Sequence, residues 1–196
     1  MKKFFKKQKG FTLIELMVSI AIFAFMTAFM LAKYGGFNQS VLLTNLAYDV
    51  ALTIRTAQSY GLNVKSANRN ASDFNYPYGV HFQKDATSFI FFVDSYNDGV
   101  YITSGSNVDA VSPISTSNIK RGNKISKICV GSVSSCADIS SLDITFKRPD
   151  PDAIIKADTD TISSYSYAEI TLSLSDGSAT RRVSVYSTGQ IAVMPD

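Results

Sequence analysis

Charge is almost absent from one long stretch of this 196-residue chain. No basic residue stands between Lys9 and Lys33, and from Phe11 to Ala32 the only charged side chain is Glu15. That excludes a water-solvated surface element for this stretch. Histidine occurs once, at His81, and cysteine twice, at Cys129 and Cys136, which leaves too few ligands of the usual type for a His/Cys metal site. No serine or cysteine stands beside a base in a nucleophile elbow, and no glycine loop opens a helix. The sequence therefore predicts a non-enzymatic component of a larger assembly, with no cofactor and no metal. Proline is missing before Pro77, and no internal repeat is evident.

The uncharged stretch itself is informative. At about 1.5 Å per helical residue, Phe11 to Ala32 spans roughly 33 Å, close to the hydrocarbon thickness of a bilayer. Five lysines (Lys2, Lys3, Lys6, Lys7 and Lys9) precede it. They account for the apparent basicity of the chain: without them 14 basic residues face 16 acidic ones, a net charge of about −2. A basic flank of this kind is a positive-inside signal and predicts a cytoplasmic N-terminus. Glu15 is costly where it stands, at about 2.5–3.5 kcal/mol for an acidic side chain within a spanning helix on insertion scales. Either it stays wet near the headgroups or it has a partner. Cleavage between Gly10 and Phe11 would supply one, because the new α-amino group, with a pKa near 8, would be mostly charged at neutral pH.

Lys9-Gly10-Phe11-Thr12-Leu13-Ile14-Glu15, followed by about twenty apolar residues, resembles the N-terminus of type IV pilins and type II secretion pseudopilins. The resemblance covers roughly residues 1–34. It implies that Gly10 is the last leader residue and that a prepilin peptidase/methyltransferase cuts after it. Phe11 would become the N-methylated terminus, and Glu15 would pair with the Phe11 amine of a neighbouring subunit during assembly. Implied partners are other pilin or pseudopilin subunits, an inner-membrane assembly platform and membrane lipid. An ordinary secretory signal peptide is the competitor, but its apolar core is usually shorter and is cut on the far side, where Met30-Leu31-Ala32 offers a poor site.

Beyond the anchor, Tyr34-Gly35-Gly36-Phe37 predicts a kink or local melting, since two glycines cost about 2 kcal/mol relative to alanine. From Asn38 to about Val64 the pattern is helical again, with Leu43, Leu46, Ala47, Val50, Ile54, Ala57 and Gly61 on one stripe. This segment, with Asn45-Leu46-Ala47 and Arg55-Thr56-Ala57-Gln58, is similar to the H-type minor pseudopilins (the FimT/GspH-like group). Residues 65–87 read as a loop leading into a strand at Tyr78–Gln83. Ser88–Asp94 and Val100–Thr103 read as a hairpin across Asn97-Asp98-Gly99. Ser104–Asn123 reads as an exposed connection, and Ile125–Val130 and Leu142–Phe146 as strands flanking the cysteines. Lys147–Asp152 is excluded from pairing by its two prolines. The last third reads as a three-stranded antiparallel meander: Ile170, Leu172 and Leu174, then Val183 and Val185, then Ile191 and Val193, with turns at Asp176-Gly177 and Thr188-Gly189.

The expected fold class is α+β. The expected parts are a leader at 1–10, a membrane helix at 11–34, an amphipathic helix at 35–66 and an extracytoplasmic β-rich head at 67–196. In an exported head, Cys129 and Cys136 favour a disulfide worth about 2–3 kcal/mol in the chain-entropy model. Asp94, Asn97, Asp98 and Gly99 faintly resemble a calcium loop, but Tyr96 occupies the position that needs an acid or amide, and a hairpin turn is favoured. His81 reads as structural.

The function expected is a minor pilin or pseudopilin, resident as a single-pass inner-membrane protein before entering a pilus or pseudopilus. Two alternatives stay open. One is a DNA-binding minor pilin, whose nearest candidate contact is Arg181-Arg182; no Gly-Arg-x-Arg arrangement is present, and neighbouring strand residues face opposite ways. Lys120, Arg121, Lys124 and Lys127 form a second basic group. The other alternative is a membrane-anchored binding domain that never polymerises.

Overall fold

The computed structural model describes residues 10–63, 76–104, 109, 115–158, 160 and 164–194, the side chains of residues 32–38 and of Ser115 excepted. The chain forms two compact units divided between Ser40 and Val41. One helix, α1 (Leu13–Leu62), contributes to both. Its backbone stays helical through Gly35 and Gly36, so the local melting expected there does not occur. The glycine cost is confined to two residues of a 50-residue helix, in which propagation on either side is already established.

In the first unit, Leu13–Leu31 is the one described segment long and apolar enough to cross a membrane, and none of it is buried within the protein. Its two hydroxyls bond back to the preceding turn: Ser19 Oγ donates to Glu15 O at 2.7 Å and Thr27 Oγ1 to Phe23 O at 2.8 Å. An apolar surrounding therefore meets no unpaired hydroxyl proton from either residue.

The second unit packs the later turns of α1 against two five-stranded sheets, every strand pair antiparallel. Sheet A has the order β3-β2-β1-β6-β7, built from β1 (Tyr78–Gln83), β2 (Ser88–Val93), β3 (Ser115–Asn118), β6 (Ser141–Phe146) and β7 (Ala153–Ala157). Sheet B has the order β10-β9-β8-β4-β5, built from β4 (Lys124–Ser132), β5 (Ser135–Asp138), β8 (Tyr167–Ser173), β9 (Thr180–Tyr186) and β10 (Ile191–Met194). The expected helical stripe is the one that faces the core. Leu43, Ala47, Val50, Ile54 and Ala57 are fully buried with Phe82, Ile144 and Ile155 of sheet A and Ile170, Leu172 and Val183 of sheet B. The architecture is α+β, as expected, and the C-terminal meander forms with Ile170 opposite Val183 and Ile191 opposite Val185.

Three expectations are corrected. Residues 100–103 are not a strand, and Asn97-Asp98-Gly99 does not turn a hairpin; β2 pairs with β1 and β3 instead. Ser104–Asn123 is not wholly an exposed connection, because it contains edge strand β3 and the buried Asp109 and Ile119. The cysteine loop contains β5, and β7 follows directly on the Lys147–Asp152 irregular segment. Segment 65–75 lies outside the described residues.

Helix and sheet come close together at Gly61. A Cβ placed there would lie 2.3 Å from the carbonyl oxygen of Phe146, a backbone atom that cannot swing aside. Gly61→Ala should therefore destabilise the folded head by about 1–3 kcal/mol from overpacking, despite alanine's higher helix propensity. Thermal unfolding of the two chains in the same detergent checks this, the expectation being a lower Tm for the variant.

Candidate functional site

The start of α1 explains how the chain accommodates Glu15. Gly10 and Phe11 precede the helix and are exposed, Phe11 at 75%. Thr12 is the N-cap: its carbonyl accepts the first helical bond, from Leu16 N–H at 3.2 Å. Its hydroxyl donates to Glu15 Oε2 at 2.9 Å and accepts from Glu15 N–H at 3.3 Å, while Thr12 N–H donates to the same Oε2 at 3.0 Å. Thr12-Leu13-Ile14-Glu15 is thus a capping box of the Thr-x-x-Glu form. The carboxylate has donors within its own chain, and its negative charge lies at the positive end of the helix dipole. The Thr-x-x-Glu spacing carries this pattern in the sequence, where the resemblance assigns Glu15 to a neighbouring chain and leaves Thr12 without a role.

The other candidates lie apart from this end, in the second unit. Cys129 and Cys136 are joined as a disulfide across the β4–β5 hairpin. Arg181 and Arg182 do not make a shared surface. Arg181 Nε donates to Thr44 Oγ1 at 3.2 Å on the helix-facing side of β9, whereas Arg182 lies 3.4 Å from Glu169 Oε2 on the opposite side. Of the second basic group, Lys124 is 2.5 Å from Asp85 Oδ1, and Lys120, Arg121 and Lys127 are exposed.

His81 is tied to the sheet, its Nδ1 lying 2.8 Å from Asp143 Oδ1. The Asp94 loop is also internally satisfied: Asp94 accepts Asp98 N–H at 3.2 Å and Gly99 N–H at 2.9 Å. Asn97 and Gly99 take positive φ, 58° and 83°. Carboxylates that capture backbone N–H groups in this way compete with strand pairing, which is why the Asp-Gly signal does not produce a hairpin. Among the described residues no three His, Cys, Asp or Glu side chains come together to hold a metal ion.

Residues 5–31 match the prokaryotic N-terminal methylation motif. No curated protein and no solved structure matches the chain. The matched segment contains Gly10, Phe11, Thr12 and Glu15 and the apolar turns that follow. It supports a structural subunit of the pilin or pseudopilin class, anchored through its N-terminal helix, and it implies processing by a prepilin peptidase and assembly with other pilins.

Thr12→Val keeps the size of the side chain but removes its hydroxyl, and should weaken the first helical turn by about 1 kcal/mol. In micelles, hydrogen exchange at the Glu15 and Leu16 amides should accelerate about fivefold, with Thr12→Ser restoring the rate. Unchanged exchange would show that the box does not hold the turn.

Proposed function

We propose that the chain is a minor pilin or pseudopilin that is inserted with its N-terminus in the cytoplasm. It is cut after Gly10, methylated on Phe11, and built into a helical filament of a type IV pilus or type II secretion machine. The observation that carries this reading is the methylation-motif match at residues 5–31, together with a helix whose 19-residue apolar segment Leu13–Leu31 is unburied among the described residues.

Those apolar side chains supply the driving term. Each large one removed from water is worth about 1.5–3 kcal/mol, a debt that lipid discharges before assembly and neighbouring helices discharge afterwards. Specificity of register comes from Glu15. Both Thr12 bonds fall on Oε2, so Oε1 is the oxygen that a neighbouring Phe11 ammonium would meet. A subunit entering out of register would leave the carboxylate in an apolar bundle with only its own cap, and an uncompensated charge there is costly. The head, with its disulfide, then faces an oxidising extracytoplasmic compartment, in keeping with where such bonds persist.

Intact-mass and N-terminal peptide measurement on the protein taken from its native membrane tests the processing. The expected terminus is methylated Phe11, and a chain beginning at Met1 would sink the reading. Glu15→Ala should insert and be cleaved normally yet be recovered with sheared filaments at least about tenfold less well, a loss of at least 1.4 kcal/mol. Normal recovery would favour a membrane-anchored domain that does not polymerise.

A further inference from the structure

The outer face of sheet A holds a buried polar assembly in the second unit. Asp143 stands in cross-strand register between His81 on β1 and Lys156 on β7. It is 1% exposed, and while Oδ1 meets His81, Oδ2 has no hydrogen-bond partner. Thr145, on the same face two residues along, is fully buried with Oγ1 also unpartnered.

Over this face lies segment 94–104, held down from its two sides by carboxylates. Asp94 takes the Asp98 and Gly99 amides, and Asp109 takes those of Ser95 and Ile102 at 3.0 and 2.8 Å. Phe92 is sealed beneath and Val100 is buried within the segment, and a Cβ at Gly99 would lie 3.3 Å from Ile154 and 3.4 Å from the Lys156 stem. Asp94 and Asp109 are, like Asp143, almost fully buried, and Asp98 repels all three.

We propose that segment 94–104, with Asp109, is a proton-operated clasp on the outer face of sheet A. It is closed while the buried carboxylates hold protons, and it loosens as they ionise together. The geometry sets up the conflict: Asp94, Asp109 and Asp143 are all buried near Asp98, and Asp143 keeps Oδ2 without a well-formed hydrogen bond, although the Tyr101 backbone N–H favours its ionised form. Among the described residues the opposing charges are Lys156 and, when protonated, His81; Tyr101 is the other titratable group against the cluster.

The direction of the effect follows from burial. Desolvation, reinforced by Asp98 and Asp109, pushes the Asp94 carboxyl up to about 6, outweighing the two amide bonds that favour its ionised form. Asp109 and Asp143 are raised for the same leading reason. A group whose pKa is raised in the closed state favours closure fully below its ordinary value and loses that contribution as pH rises through the raised one. For Asp94 that window runs from 3.8 to about 6.

The test is hydrogen exchange of the full chain in detergent micelles, corrected for intrinsic rates. Protection of the Ser95, Gly99 and Ile102 amides should fall about tenfold between pH 5 and pH 7 relative to Ile170 and Val183 in sheet B. Asp94→Asn, which cannot titrate, should flatten that dependence, and carbon-13 titration of the wild-type carboxyl groups serves if the variant does not fold. A pH-independent protection, or an Asp94 midpoint near its ordinary value, overturns the clasp. So does tightening of the same amides by millimolar calcium at pH 7, which would make the cluster a cation site instead.

Discussion

A carboxylate taken out of water must find donors, and most of what is distinctive in this chain follows from where it finds them. Glu15 closes on the amide and hydroxyl of Thr12 at the first turn of α1. Asp94 and Asp109 collect backbone amides of the segment they hold, and Asp143 takes the ring of His81. An acceptor removed from water without a partner would cost about 1–3 kcal/mol, and more when charged. The three solutions differ in completeness. Asp94 and Asp109 have donors on both oxygens, the Thr12 bonds use one oxygen of Glu15, and Asp143 keeps one oxygen orphaned. Incomplete satisfaction leaves a site capable of taking something more. In the reading proposed above, that is a neighbouring ammonium for Glu15 and a proton for Asp143.

The two units solve the opposite problem, that of apolar surface, in different ways. From Val41 onward α1 turns a narrow stripe inward, and the sheets cover it so closely that Gly61 has no room for a methyl group. Between Leu13 and Leu31 the helix is apolar apart from Glu15 and two hydroxyls bonded back to the helix, and none of it is buried among the described residues. A helix that is apolar all round is stable only inside lipid or among other helices. One continuous secondary-structure element thus carries two contrasting patterns, and that contrast, visible in the spacing of its leucines and alanines, separates anchor from head.

Much of this was legible in the sequence, and the misses share a cause. The stripe from Leu43 to Gly61 could be read because only one face of that helix is buried, and the C-terminal meander could be read because its alternation is regular. β7 was hidden because Ile154 and Lys156, which should mark an exposed face, lie partly or wholly under segment 94–104. The hairpin expected at Asn97-Asp98-Gly99 failed because Asp94 competes for the amides a second strand would have used. Both errors come from one long-range fact: the outer face of sheet A is covered, and no local pattern reports that. The candidate site was more accessible. Gly10, Phe11 and Glu15 stood out through charge and register, whereas the role of Thr12 needed only the Thr-x-x-Glu spacing.

The covered face also bears on where the individuality of this protein resides. The methylation motif accounts for residues 5–31 and describes equipment that pilin-type subunits hold in common. An anchor helix shared in that way can bring a subunit into a filament but cannot distinguish it from other subunits there. Discrimination must then come from the second unit, Val41–Asp196, whose described residues pack around one core. On that head, the arginines nearest the C-terminus are separated by the strand that carries them, and Arg182 already lies beside Glu169. A phosphate-tracking surface needs cations on one side, and this pair does not share one. The outer face of sheet A is different in kind. Its buried acids give up stability that an apolar cover would have supplied, and a fold under selection for rigidity alone would have replaced them. Among the described residues that chemistry gathers in segment 94–104, Asp109 and the strands beneath them. The part of the head that departs furthest from simple packing is therefore also the part best placed to change state.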